Sequence, residues 1–289
     1  MNMRQIQCSL VAICCLLPAA QLTADEVADL VRLLRSDKPK VRYDSARSLK
    51  GLGPKARPAI KPLVDALSDQ GPPIEYAINY FGPRVQDVAS EALAEIGRPA
   101  VPELVEALCR RDKEARKHAA RTLGKIGPPA NDCFSALTDV LNDDDEWVRW
   151  DAVRAIGKIG ADPREVVPLL EGVFRRRDEK YFVREAALTA LYDADPEGVI
   201  VIPLLVEGLK DPNGDILAAA AQTLGKFRAK ARSAVCDLNE LLSTEKRRGD
   251  AYFDVGYTSP VRIDVIRALA DIGPNAAVAV PTLKRLLTG

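Results

Sequence analysis

Apolar residues recur along the chain with the spacing of one helix face, and the pattern restarts several times. Each restart begins at a pair that most often reads Val-Arg, as at Val148 and Arg149, and apolar residues follow at positions +4, +5, +8 and +11 from the first member of the pair. This spacing places the apolar side chains on one face of an α-helix. The pairs begin at Val41, Val85, Ala115, Val148, Val183, Ile216 and Val261.

A second amphipathic segment precedes each of these helices. Examples are VPELVEAL over 101–108 and VIPLLVEGL over 201–209, both with proline in the first turn, where its missing N–H costs nothing. An acidic turn joins the two segments, and we expect its carboxylates to cap the second helix. The acidic residues of these turns are Asp37, Asp112, Asp143 to Asp145, Asp178 and Asp211.

Each unit is therefore predicted to be a helix, an acidic turn, a helix that ends at glycine, as at Gly127, Gly160 and Gly273, and a Gly-Pro-type turn. Alanine at +4 and +5 allows neighbouring helices to approach closely. One hairpin cannot bury its apolar face alone, but a stack can. The sequence predicts an all-α protein, a right-handed α-α superhelix (an α-solenoid) of about seven helical hairpins and a final unpaired helix over about 276–287.

The arginine of each pair is expected to have a structural role. We expect it to reach an acid in a neighbouring turn, so that the arginines form a ladder along the stack. The residues are Arg42, Arg116, Arg149, Arg184 and Arg262.

The repeated line D…VR..AA..LG.IG resembles HEAT repeats, specifically the short repeats of phycobilisome-lyase-like proteins. The resemblance covers nearly all of 25–289, although the sixth hairpin has Leu217 in place of arginine and the fifth ends LYDADP without glycine. It implies a HEAT-type α-solenoid. It leaves three functions open: a protein-interaction scaffold, a bilin-lyase-like or other enzyme built on a HEAT solenoid, and a HEAT-like protein that binds nucleic acid.

The first 24 residues differ from the rest. Arg4 is their only charged side chain, an apolar run over 8–20 follows it, and the polar stretch QLTADE comes next. The apolar run is shorter than the roughly 20 residues that span a bilayer. This pattern is typical of a secretory signal, with a buried or anchoring helix as the alternative. We expect residues 1–24 to be a signal peptide cleaved near Ala20 or Ala24, and 25–289 to be a single solenoid exported to the periplasm, the cell envelope or the medium.

Charge and candidate chemistry favour a scaffold over an enzyme. The chain has 41 Lys and Arg residues and 41 Asp and Glu residues, so no global field attracts nucleic acid. The single histidine, His118, is predicted on a helix surface away from any Ser or Cys partner. The acidic stretch 211–215 is followed by Ile216 and Gln222 where a calcium loop has glycine and glutamate, and the stretch 142–146 has no loop to surround an ion. Three cysteines follow the expected signal peptide. These residues, Cys109, Cys133 and Cys236, are expected to be small buried hydrophobes.

The sequence therefore predicts no catalytic residue, no cofactor and no metal site. It predicts a non-catalytic scaffold with an unidentified protein partner, no nucleic-acid ligand and no membrane span in the mature chain.

Two surfaces are candidates for partner binding. The first comprises insertions at about 70–84 and 245–260, which both interrupt the turn between a first and a second helix. Aromatic side chains in surface loops are common contact anchors, although such a loop can also fold back over exposed core. The aromatic residues of the insertions are Tyr76, Tyr80, Phe81, Tyr252, Phe253 and Tyr257.

The second candidate is the outward face of the second helices, where a basic patch would suit an acidic segment of a partner. The patch comprises Arg121, Lys125, Trp150, Arg154 and Lys158. The alternative is a solvated face that is neutralised within each helix. The pairs expected in that case are Asp44–Arg47, Asp151–Arg154 and Asp264–Arg267.

Overall fold

A computed structural model of the chain describes residues 24–74, 82–248 and 261–288. These residues form α-helices joined by turns and 3-10 helices, and they contain no β-strand. The α-helices are α1 (Ala24–Leu33), α2 (Pro39–Leu52), α3 (Ile60–Asp65), α4 (Val85–Ile96), α5 (Val101–Leu108), α6 (Lys113–Ile126), α7 (Phe134–Val140), α8 (Glu146–Lys158), α9 (Pro163–Arg175), α10 (Tyr181–Ala194), α11 (Val201–Gly208), α12 (Gly214–Lys226), α13 (Val235–Arg248), α14 (Val261–Ile272) and α15 (Val280–Thr288). The 3-10 helices are Gly53–Ala59, Ala66–Ser68, Arg98–Ala100, Pro128–Cys133, Arg228–Ala234 and Gly273–Ala279.

Within each compact unit the helices form two layers. The chain divides into two compact units, Met1–Ala155 and Ile156–Gly289. In the first unit α2 packs on α4 and α4 on α6, while α3 packs on α5 and α5 on α7. In the second unit α10 packs on α12 and α12 on α14, while α13 packs on α15. Odd-numbered helices are thus the first helices of the hairpins and even-numbered helices the second, and the predicted α-solenoid is confirmed.

Two pairs of successive second helices, α6 with α8 and α12 with α14, meet at a glycine. A β-carbon on Gly124 of α6 would lie 2.9 Å from Cα of Ala155 in α8, and one on Gly225 of α12 would lie 3.1 Å from Cα of Ala268 in α14. A carbon atom at such distances would force the helices apart. The close approach of these helix pairs therefore depends on the glycine at +9. The buried alanines at +4 and +5, which the sequence pattern indicated, contribute as well.

The second helices end as predicted. Gly127, Gly160 and Gly273 have φ of 70°, 70° and 75°, a left-handed conformation that glycine adopts without a steric penalty. After α12 the equivalent position is Arg228, with φ of 51°. Among the described residues it is the single non-glycine residue with positive φ.

The arginine ladder is present in both units. Three of the five predicted arginines bind an aspartate 27 residues further along the chain, in the next acidic turn. The pairs are Arg42 Nε with Asp69 Oδ2 at 2.5 Å, Arg116 Nε with Asp143 Oδ2 at 2.6 Å, and Arg184 Nη2 with Asp211 Oδ2 at 2.6 Å.

The arginines of the repeated pairs also bind the turn of their own hairpin. Arg116 donates from Nη1 to the carbonyl oxygen of Arg110 at 2.9 Å, and Arg149 donates from Nη1 to that of Asp143 at 2.6 Å. These bonds satisfy carbonyl groups that follow the first helix and have no partner within it. Each guanidinium therefore joins its own turn, and Arg116 also joins it to the next.

The acidic turns have the two predicted roles, capping and the ladder, but not at every predicted residue. Asp112 caps α6 by accepting the N–H of Glu114 at 3.1 Å, and Asp145 caps α8 by accepting that of Trp147 at 3.0 Å. Asp143 and Asp211 serve the ladder. The expected caps on α2 and α10 are wrong: the N-cap residues there are lysines, and neither side chain forms a cap. Asp37 and Asp178 precede those lysines and lie outside the cap position.

The cysteines only partly follow the prediction. Cys133 is buried, and burial raises the pKa of its thiol to about 11. Cys109 and Cys236 are exposed, contrary to expectation. Cys109 lies in the turn after α5, and Cys236 lies in the first turn of α13.

The expected signal peptide lies outside the described residues, apart from Ala24 at the start of α1. Within the described part of the chain, no helix combines the length and the apolar character that crossing a bilayer requires.

The glycine contact can be tested with two matched substitutions. Gly124→Ala is expected to lower the free energy of unfolding by about 1–3 kcal/mol, because the new methyl group meets α8. It should do so although alanine is the better helix former. Gly51 of α2 has no atom within 4 Å of its β-carbon position, so Gly51→Ala is expected to raise that free energy by up to about 1 kcal/mol. Urea denaturation followed by circular dichroism measures both, and a stabilised Gly124→Ala would contradict the packing argument.

Candidate protein-binding surface

The aromatic residues of the two insertions lie outside the described residues, so the structure places none of them. These residues are Tyr76, Tyr80, Phe81, Tyr252, Phe253 and Tyr257.

Arg121 of the predicted basic patch forms an ion pair that joins α6 to α8. Its Nε and Nη2 atoms lie 3.1 and 2.9 Å from the two carboxylate oxygens of Asp151 on α8. Asp151 is 2% exposed. Burial raises the pKa of its carboxyl, while the hydrogen bond from Arg121 acts in the opposite direction. The expected pair of Asp151 with Arg154 is therefore wrong: Asp151 faces α6, whereas Arg154 is exposed.

Of the other two expected pairs, one is replaced by a different pair and one is present together with a further partner. Asp44 accepts a hydrogen bond from Lys40 at 2.7 Å in place of Arg47. Asp264 lies 3.9 Å from Arg267, as expected, but it also accepts a shorter bond of 3.0 Å from the Gln222 amide. The +6 residue of one second helix thus binds the +3 aspartate of the next, both here and at Arg121.

Lys125 is likewise held within the protein. Its Nζ lies 3.1 Å from Oγ of Ser90 on α4, and Thr122 donates to the same oxygen at 2.8 Å. Burial lowers the pKa of Lys125, and the charge of Arg121 adds to this while that of Glu91 opposes it. Two of the four predicted basic side chains are therefore used within the first unit.

A second tryptophan lies beside Trp150 on the exposed surface of α8. Trp147 and Trp150 of α8 form an edge-to-face pair, with ring centroids 6.0 Å apart, and the Arg154 guanidinium lies 4.4 Å from the Trp150 centroid. Trp147 is 49% exposed. We name Trp147, Trp150 and Arg154 the tryptophan patch. Lys158 is exposed and belongs to the second unit.

Sequence reasoning identified Trp150 and missed Trp147. The signal was available in the stretch EWVRW, which places two tryptophans three residues apart on one helix. Residues three apart are neighbours on a helix surface.

A polar cleft of about 670 Å³ lies in the first unit, between the starts of α4 and α6. Its charged residues largely pair with their neighbours: Lys117 lies 2.5 Å from Glu114, and Lys113 lies 2.9 Å from Asp145. The lining residues are Gln70, Arg84, Gln86, Asp87, Asp112, Lys113, Glu114, Lys117, His118 and Arg121.

His118 is buried in this cleft, so the prediction of a surface histidine is wrong. It is 2% exposed because α4 packs on that side of α6, and its Nε2 lies 3.0 Å from Nε2 of Gln86. Burial, together with the charges of Arg121 and Lys117, lowers the pKa of His118 to about 3. The imidazole is therefore neutral at pH 7 and is poorly suited to proton transfer there.

The neutral histidine should make stability depend on pH. The unfolded chain binds a proton near pH 6.5 and the folded chain only near pH 3, so stability is complete above pH 6.5 and decreases as pH falls toward 3. The full slope is about 1.4 kcal/mol per pH unit. Urea titrations between pH 7 and pH 4 should show a weaker pH dependence for His118→Asn than for the unmodified chain. Parallel curves would contradict a buried neutral histidine.

Comparison with solved structures supports the fold. Yeast importin-β (Kap95p) is 12% identical, with a TM-score of 0.63 over 90% of this chain and 39% of that chain. The karyopherin Kap121p is 11% identical, with a TM-score of 0.63 over 91% of this chain and 31% of that chain. The complex of CpcE and CpcF of phycocyanin lyase from Nostoc sp. PCC7120 is 23% identical over 87% of this chain and 95% of that chain, with a TM-score of 0.46. These likenesses concern the fold alone.

No curated protein matches the chain. The family model for HEAT repeats matches residues 74–132 and 130–192, which include the helices α4 to α10 except the last two residues of α10. The stacked hairpins and the arginine ladder extend the same repeat through both units. Residues 74–192 are HEAT repeats, and the described hairpins on either side repeat the same helix order.

Proposed function

We propose that this chain is a non-catalytic scaffold that binds a protein partner through the tryptophan patch, and that it acts in the cell envelope or outside the cell after export. HEAT solenoids typically bind proteins. Among the structural neighbours, Kap95p binds RanGDP and Kap121p binds the extreme C-terminus of the phosphatase Cdc14p. Export is supported by the charge and apolar pattern of residues 1–24.

The observation that carries the proposal is the half-exposed Trp147. Tryptophan and arginine dominate the binding energy of protein interfaces. The edge contact with Trp150 holds the Trp147 ring on a regular helix. A side chain that is already ordered loses little entropy on binding.

The charges beside the patch indicate the chemistry of the partner. Asp151 is engaged by Arg121, and Arg154 forms no ion pair within the described residues. The Arg154 guanidinium stacks on Trp150 and keeps its donors for a ligand. A partner that presents a carboxylate next to an apolar side chain would satisfy both groups.

The absence of catalysis is supported by the state of the reactive side chains. His118 is neutral and enclosed, and burial raises the pKa of the Cys133 thiol. Neither group is prepared to act as a base or a nucleophile near neutral pH.

Site-specific photo-crosslinking tests the tryptophan patch. With p-benzoylphenylalanine in place of Trp147, illumination of living cells is expected to give one discrete crosslinked product, and Arg154→Glu should abolish it. Tyr181 of α10 is also 49% exposed and provides the matched control position. For the purified partner, Trp147→Ala should weaken binding about 30-fold, the loss of about 2 kcal/mol typical of a central interface residue. Equal products from both positions, or none from Trp147, would refute this site.

Export is tested separately by fractionation and N-terminal sequencing. The mature chain is expected in the envelope or the medium, beginning at Gln21 or Asp25. Deletion of residues 2–24 should retain it in the cytoplasm. An intact N-terminus on a cytoplasmic chain would refute export and leave the binding proposal untouched.

A further inference from the structure

Arg228 occupies a position that is glycine in five of the six other second helices, the remaining one having Asp195 with φ of −134°. LGKIG over 123–127 and LGKFR over 224–228 align without a gap, so Arg228 stands where Gly127 does. The second helices that end at glycine do so with φ between 53° and 76°. Their terminal residues are Gly53, Gly97, Gly127, Gly160 and Gly273.

An arginine is unfavourable in this conformation. Its β-carbon crowds the backbone at positive φ, and it lacks the short polar side chain that makes asparagine and aspartate tolerant of that region. Backbone strain of this kind is concentrated at functional sites, where the side chain has a use that offsets the cost. Arg228 is exposed, and it forms no hydrogen bond or ion pair within the described residues. Its internal contacts therefore give no reason to keep it.

The side chain borders a cleft of about 640 Å³ in the second unit, where α10 and α12 end. Tyr192 and Phe227 form an edge-to-face pair in this cleft, with centroids 5.0 Å apart, and Phe227 is buried. The Lys226 ammonium lies 5.7 Å from the Tyr192 centroid. The lining residues are Tyr192, Pro196, Gly225, Lys226, Phe227, Arg228, Ala229, Lys230 and Asp271.

The cleft has an excess of positive charge. Lys230 is neutralised by Glu197 at 3.0 Å, while Lys226 and Arg228 make no ion pair within the described residues. Asp271 is the one acid among the lining residues. In the same inter-repeat turn as Pro196, Val199 and Ile200 are 79% and 47% exposed. A ligand that combines carboxylates with an apolar side chain would satisfy both features.

We propose that this cleft binds an acidic peptide segment of the partner protein, with Arg228 and Lys226 contacting its carboxylates. A planar guanidinium can bind a carboxylate through two parallel hydrogen bonds, which favours arginine at this position. The inference rests on the proposed scaffold function and adds a second contact site with a defined ligand chemistry.

The test uses the full chain and a fluorescein-labelled peptide of alternating glutamate and leucine, with fluorescence anisotropy as the readout. A second peptide has glutamine in place of every glutamate. The variant Arg228→Gly restores the residue of the other repeats, so it is expected to raise Tm by about 2–4 °C through relief of strain. It should also weaken binding of the acidic peptide at least about tenfold, the loss expected for one charge-assisted contact. The glutamine peptide should not bind.

Arg232→Gln is the matched control, since Arg232 lies in the same 3-10 helix, is exposed and does not line the cleft. It should leave binding unchanged. Lys226→Gln should weaken binding without changing Tm. Any of three results would overturn the proposal: Arg228→Gly binds as well as the unmodified chain, Arg232→Gln weakens binding equally, or vesicles containing phosphatidylserine bind while the acidic peptide does not.

The two proposals fail separately. Crosslinking at Trp147 without any binding of the acidic peptide would keep the scaffold function and reject the cleft. Peptide binding that depends on Arg228, without crosslinking at Trp147, would keep the cleft and reject the tryptophan patch.

Discussion

The distance between successive second helices is the constraint on which the rest of the structure depends. At Gly124 and Gly225 the backbone of one helix reaches the alanine of the next with no room for a β-carbon. Once the backbones touch there, polar side chains on both sides of the contact come within hydrogen-bonding distance. Arg121 meets Asp151 beside the first contact and Gln222 meets Asp264 beside the second, although the partners are 30 and 42 residues apart. Close packing of small residues thus creates a buried polar layer that stabilises each repeat against the next.

The arginine ladder is the electrostatic counterpart of this packing. A fixed helix separation places the guanidinium groups of Arg42, Arg116 and Arg184 at the same distance from the next acidic turn, so each of these partners lies 27 residues away. Burial alone would raise the pKa of Asp211, but the hydrogen bond from Arg184 and the charges of Arg184 and Arg177 outweigh it and lower that pKa. The ion pair persists because its lone pairs and donors are satisfied together, which is the condition under which a buried pair is stable.

The sequence predicted the features that repeat and missed those that depend on a second buried helix face. The hairpin order, the helix-ending glycines and the ladder follow from local spacing, because each recurs at a fixed position of the unit. His118 and Asp151 were misjudged, and the packing role of Gly124 was not predicted, for one reason. A second helix packs against its own first helix and also against the second helices on both sides, so polar residues on the lateral faces are buried too. A pattern that assigns one apolar face to each helix treats those positions as solvent-exposed.

Residues that differ from the repeat pattern are informative, because the same packing constraints act on every unit. A position that performs the same packing task in every unit is held to one residue type by sterics, as glycine is at the end of the second helices. A different residue there must be offset by something outside the repeat, because the neighbouring units offer it the same surroundings. Arg228 is such a departure. Trp147 stands just before a Val-Arg pair, at a position where the residue differs in every unit, so the packing of the stack does not determine it either. The shared residues of the array account for its fold, and recognition of a partner is therefore best sought at the residues that differ between repeats.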